Sequence, residues 1–169
     1  MTNQYRAVQW NAHKKTYDFL ILLGVLVLIV GFVGTSVVLA QPNTDLPSPE
    51  ILVLRALGTG AATLLTLTLC IGPLARLDRR FAPLLYNRRH LGVTVGVLAL
   101  LHGFLATNWY HGFGVIDPLV SLLSSGSEAP GVPFQPLGLL ALIVLLIMAA
   151  TSHDYWLNAL GARIWKGLH

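Results

Sequence analysis

The chain has 169 residues, of which 54% are hydrophobic and 11% charged, with a mean hydropathy of +0.67. A soluble domain carries roughly 25% charged residues to cover its surface, so this composition excludes one and indicates a membrane protein. The formal net charge of +4 would suggest nucleic acid as a partner in a soluble chain; beside a membrane its placement reports topology instead, and no nucleic-acid role is expected.

Residues 1–18 are polar, with Arg6, Lys14 and Lys15, and the apolar run behind them is too long for the core of a signal peptide, so it reads as a retained helix. Crossing about 30 Å of hydrocarbon takes about 20 residues of helix, because every backbone group must be satisfied within the segment. Four segments qualify: 19–40, without charge; 51–74, with Arg55 near its start; 91–110, with His102 inside; and 134–151, the shortest. The joints carry turn chemistry. Three prolines fall in 41–49, Gly72-Pro73 is expected to break the second helix, and 124–136 is rich in Ser, Gly and Pro. Residues 116–123 suggest a short surface helix. The fold class expected is an all-α integral membrane bundle with at least four transmembrane helices, in one domain.

Basic residues set the orientation. Residues 1–18 hold three, 75–90 hold Arg76, Arg79, Arg80, Arg88 and Arg89, and the segment after Thr151 holds Arg163 and Lys166. The alternate connections hold only acidic residues, Asp45, Glu50, Asp117 and Glu128, while Arg55 can snorkel from a helix end. The amino terminus, the middle connection and the carboxyl end are therefore expected in the cytoplasm, with membrane lipid phosphates against the arginines.

Histidines carry the functional signal. His102, inside a span, is a functional hypothesis by default, the alternative being a neutral imidazole bonded to a neighbouring helix. His90 precedes it by 12 residues, about 18 Å of helical rise, so the two cannot share one metal ion. His111, nine residues beyond His102, falls about 180° around the axis and is expected at the outer surface. His153, beside Asp154, suits a cap or an interfacial role, and His169 is the last residue of the sequence. The lone Cys70 excludes a disulfide framework or a cysteine metal cluster, and no phosphate-binding glycine loop, His-Glu-x-x-His or serine elbow occurs. Low-spin heme iron needs two neutral imidazoles and a slot between apolar helices. Gly92, Gly96 and Gly103 fit such a slot, and fit close helix packing equally well.

The stretch Cys70-Ile71-Gly72-Pro73-Leu74-Ala75-Arg76-Leu77, followed by Arg88-Arg89-His90-Leu91-Gly92 and Ala99-Leu100-Leu101-His102, resembles the ferric-reductase-like transmembrane superfamily. Arg163-Ile164-Trp165-Lys166-Gly167-Leu168-His169 is similar to the family's approach to a later heme-binding helix. The resemblance implies a b-type heme electron-transfer domain over 1–169, behind a cytoplasmic segment 1–18, in the bacterial inner membrane. It implies one or two hemes b. His102 matches the outer iron ligand of the first helix and His169 the inner ligand of the second. The family's inner position on the first helix falls on Arg88, which makes His90 a substitute candidate. His153 is a further candidate, and Arg88 and Arg89 stand where heme propionates would emerge. The outer partner of His102 would lie past His169, so the family domain is expected to continue, its fifth helix only begun. The amino-terminal Trp10-Asn11-Ala12-His13-Lys14-Lys15 and Ser152-His153-Asp154 look like a bacterial branch that often continues into a Rieske-type domain. The redox partner implied is thus a protein, such as a Rieske-type iron-sulfur domain, or a quinone. The competing expectation is a non-redox membrane scaffold whose histidines only bond between helices.

Overall fold

A computed structural model describes residues 12–40, 46–124, 132–152 and 154–168. The first helix, α1 (Ala12–Val38), begins inside the polar leader, so the amino-terminal turns carrying Lys14 and Lys15 extend the same rod. Next come α2 (Pro49–Leu77) and α3 (Ala82–His111), joined through a short 3-10 turn, Arg79–Phe81. Helices α4 (Pro118–Ser124), α5 (Phe134–Ala150) and α6 (Asp154–Leu168) complete the described chain. No strand occurs among the described residues.

Pro73 does not end α2, contrary to expectation: the helix runs through it to Leu77. A proline removes one backbone donor and crowds the preceding turn, but ending the helix in hydrocarbon would leave several more backbone groups unpaired, so the next turn continues. The stop comes at Asp78, whose extended backbone turns away while its amide still bonds the Leu74 carbonyl at 2.9 Å. Its carboxylate then accepts the Arg80 amide at 2.9 Å and starts the 3-10 turn. Helix α3 likewise starts well before residue 91, carrying Arg88, Arg89 and His90 on regular helix. At the other end the Asp117 carboxylate accepts the amides of Leu119 and Val120, capping α4.

Helices α1, α2 and α3 contain segments long and apolar enough to cross a membrane, whereas α5 has 17 residues, about 25 Å of rise. Helix α3 is central, packing against α2 most extensively and against α5 on another side, and α1 lies mainly on α2. The core is small: Leu57, Ala61 and Leu98 are buried together, with Val25, Ile29, Leu64 and Ala99 packed on them. Large apolar side chains such as Phe19, Leu22, Leu26, Leu67, Phe104 and Leu140 are exposed. Side chains of this kind on every spanning helix need lipid as their solvent, and the chain is a multi-pass membrane protein.

Backbones approach closely where glycine permits it. A Cβ on Gly96 would stand 3.0 Å from the Ala149 Cβ, and one on Gly103 would stand 2.7 Å from a Leu142 methyl, so these two glycines seat α5 on α3. Gly92 meets nothing within 4 Å. The three glycines therefore divide: two serve packing, and one leaves open space.

Candidate functional site

His102 sits on the α2 side of α3, where its Nδ1 lies 2.9 Å from the carbonyl oxygen of buried Leu54. A carbonyl can only accept, so Nδ1 carries a proton, and in the neutral ring Nε2 keeps its lone pair. No hydrogen bond engages Nε2 among the described residues. One turn along α2, Gly58 gives the ring its room: a Cβ there would stand 2.7 Å from Cε1 and 2.9 Å from Nδ1. Leu54 and Gly58 thus form a backbone cradle that fixes both the tautomer and the plane of the imidazole. A backbone partner that orients one ring nitrogen and frees the other is the usual support of a metal-bound histidine.

His102 lines a cavity of about 350 Å³ at the end of the bundle away from the basic connection, bounded by α3, α4 and α5. This distal cavity is largely apolar, with Gly138 open to it and nothing within 4 Å of a Cβ placed there. Besides His102, the polar side chains Thr107, Tyr110, His111 and Gln135 interrupt the apolar wall. Gln135 has its Oε1 buried without a hydrogen-bond partner. His111 is only 8% exposed, and its Nδ1 lies 2.9 Å from the Ser121 hydroxyl. The expectation that His111 stands at the outer surface is thus overturned. Helical rotation placed it opposite His102, but α4 folds across the end of α3, covers the ring and turns that end of the helix into cavity wall.

A second, basal cavity of about 230 Å³ lies among α2, α3 and α5, lined by Thr68, Arg88, Arg89, Gly92, Ser152 and Trp165. Arg88 and Arg89 therefore stand on a cavity wall, as well as in the basic connection. Trp165 of α6 donates through Nε1 to the Thr151 carbonyl at 3.0 Å, tying the segment after α5 back onto its end. His90 is placed elsewhere: its Nδ1 meets the Asp18 carboxylate of α1 at 2.6 Å, and it is not among the residues lining either cavity. The structure therefore does not bring His90 beside Arg88 and Arg89 as a wall residue of the basal cavity. His153 and His169 lie outside the described residues. No group of three or more His, Cys, Asp or Glu side chains gathers among the described residues, so the chemistry concentrates on single histidines.

Residues 57–169 match the family model described as ferric reductase like transmembrane component. The chain belongs to the ferric-reductase-like transmembrane family. All of α3, and every residue lining the two cavities except Leu54, lie within the segment matched to that family, whereas α1 precedes it. The protein-methionine-sulfoxide reductase heme-binding subunit MsrQ of Azospira oryzae is 31% identical over 115 residues, which cover 68% of this chain and 46% of the relative. The protein of the same name from Bordetella pertussis is 35% identical over 122 residues, covering 72% of this chain and 55% of the relative. The chain spans about half the length of these curated relatives. No solved structure gives a significant match.

Sequence reasoning singled out His102 but missed what holds it. Gly58, in Leu57-Gly58-Thr59-Gly60, carries a readable signal, a small residue inside an apolar helix. The Leu54 carbonyl carries none, since every residue has one.

Proposed function

We propose that the chain is a heme-binding electron-transfer subunit of the membrane, with a b-type heme in the distal cavity and His102 as an axial ligand. The observation that carries this reading is the state of His102: Nδ1 is satisfied by the Leu54 carbonyl, Nε2 has no partner among the described residues, and the residue lines a cavity. The residues present suit a flat, largely apolar ligand, because Gly58 clears the imidazole, Gly138 leaves open space and the wall is mostly apolar. The relatives' printed name, a heme-binding subunit, supports the same reading.

A heme bound there would supply one-electron redox chemistry. The chain's own work is to hold and to exclude. His102, oriented by its cradle, would hold the iron; Leu139, Leu142 and Leu145 give one wall an apolar lining; and Leu122 of α4 adds to the wall. No proton-transfer residue is required for such a step. On the basal side we assign Arg88 and Arg89 to anionic groups, heme propionates or lipid phosphates. His169 is proposed as the inner ligand of a second heme, with His153 as a further candidate. The electron donor and acceptor are proposed to be a redox protein or a quinone.

The test is a reduced-minus-oxidised spectrum of the purified chain in detergent. A sharp low-spin band of the b type is the expected result. Colourless protein with intact helicity would instead support the scaffold reading, in which the His102–Leu54 hydrogen bond merely joins two helices.

Topology is tested separately. The basic connection is proposed to face the cytoplasm of a bacterial inner membrane. With Cys70 replaced by Ser, a cysteine at the fully exposed Val115 should react with an impermeant reagent in intact cells. A cysteine at the exposed Arg80 should react only after permeabilisation, and the reverse pattern overturns the orientation.

A further inference from the structure

We propose that His111, seated by Ser121, anchors a carboxylate of the porphyrin at the distal end of the same cavity that His102 serves. The inference rests on the heme reading above and assigns a role to a residue that reading leaves unused. His111 lies nine positions beyond His102 on α3, which is about 13 Å of rise and excludes both rings from one iron atom. That separation instead suits the span from an axial ligand, across the macrocycle, to the carboxylate arm at its edge.

The local chemistry agrees. His111 is buried, yet it has a hydrogen bond only at Nδ1, to the Ser121 hydroxyl, and Nε2 has no partner among the described residues. A serine hydroxyl turns freely, so it can donate to Nδ1, and in that tautomer Nε2–H is left as a donor on a residue that lines the cavity. No Lys, Arg, Asp or Glu lines this cavity among the described residues, and its remaining titratable wall groups are His102 and the phenol of Tyr110. A carboxylate brought into such a wall needs a donor nearby, because its burial without a hydrogen bond is strongly unfavourable. Gln135 supplies a second one. Its amide has an oxygen without a partner in the present orientation and presents its NH₂ group when turned over.

The placement of α4 explains why the donor is ordered. The Asp117 cap fixes the first turn of α4, and Leu122 is buried and lines the cavity together with His111. Ser121 is therefore carried on an element with its own anchor.

The experiment measures binding of iron protoporphyrin IX and of its dimethyl ester, which has the same ring and iron but no carboxylate charge. Each is titrated into the purified chain in one detergent. The unaltered protein should prefer the free acid by about tenfold or more, the effect of one hydrogen bond to a charged group. His111→Ala should bring that ratio close to one, Ser121→Ala should reduce it partly, and His111→Gln, which keeps a side-chain N–H donor, should restore part of it. His102→Ala should weaken both porphyrins alike, which tests the heme reading by itself. An unchanged ratio in both His111 variants overturns the proposal while leaving the heme reading in place. Loss of the low-spin band in His111→Gln would also overturn it, by making His111 an iron ligand. If the unaltered chain binds neither porphyrin, the heme reading falls and the anchor falls with it.

Discussion

Replacing His102 by Ala abolishes the low-spin heme band, whereas His90→Ala leaves it in place. The size of the first effect follows from the cradle. Residues that merely support a metal ligand typically cost 10- to 100-fold in affinity when replaced, and removal of the ligand itself should exceed that, here by more than about 100-fold. His90 engages Asp18 of α1 and lines neither cavity. Its loss should loosen α1 from α3 by about 1 kcal/mol or less, the worth of a partly exposed pair. Heme per protein and thermal unfolding in the same detergent separate the two outcomes. Equal loss of heme in both variants would return His90 to the ligand set.

Substitution of Gly58 by Leu removes the heme with almost no cost to the helix that carries it. Already the Cβ would stand 2.7 Å from the His102 ring, and the rest of a leucine has to push the imidazole off the Leu54 carbonyl. Leucine is the better helix former by about 0.5–1 kcal/mol, so helicity by circular dichroism should hold or rise while bound heme falls at least tenfold. Gly60→Ala is the control. A Cβ there meets only the far end of the flexible Leu28 side chain, at 3.2 Å, and heme content should stay within about twofold, since a flexible neighbour can yield. A similar loss of heme in both variants would mean that α2 tolerates no added bulk and that the His102 contact is not special.

The spans were legible because hydrocarbon imposes a length and an apolar composition: the segments at 51–74 and 91–110 lie within observed helices, and 19–40 overruns the end of α1 by two residues. Their ends were less so. Asn87, Arg88, Arg89 and His90 look like a connection by polarity, yet intrahelical bonding carries α3 past the apolar segment. Gly72-Pro73 looks like a break, yet the helix continues, because a proline deletes one donor while ending the helix in hydrocarbon would leave several backbone groups unpaired.

At the site, His102 stood out as an ionisable residue in an apolar span. Its partners were not visible, since the register between α2 and α3 is set by packing around Leu57, Ala61 and Leu98, and one turn of slippage would present a different carbonyl. His111 was misplaced for a related reason: helical angle predicts a face only while the helix has the same neighbours, and α4 changes them at the last turn.

The most direct test of His102 as a heme ligand is chemical rescue. His102→Gly opens the space left by the imidazole beside Gly58 and the Leu54 carbonyl, so free imidazole should enter, bond that carbonyl through one nitrogen and offer the other to iron. The purified variant should lack the low-spin band and regain it on addition of imidazole, in a saturable manner that bulkier 2-methylimidazole does not reproduce. A variant that keeps its full low-spin spectrum without imidazole would contradict the assignment.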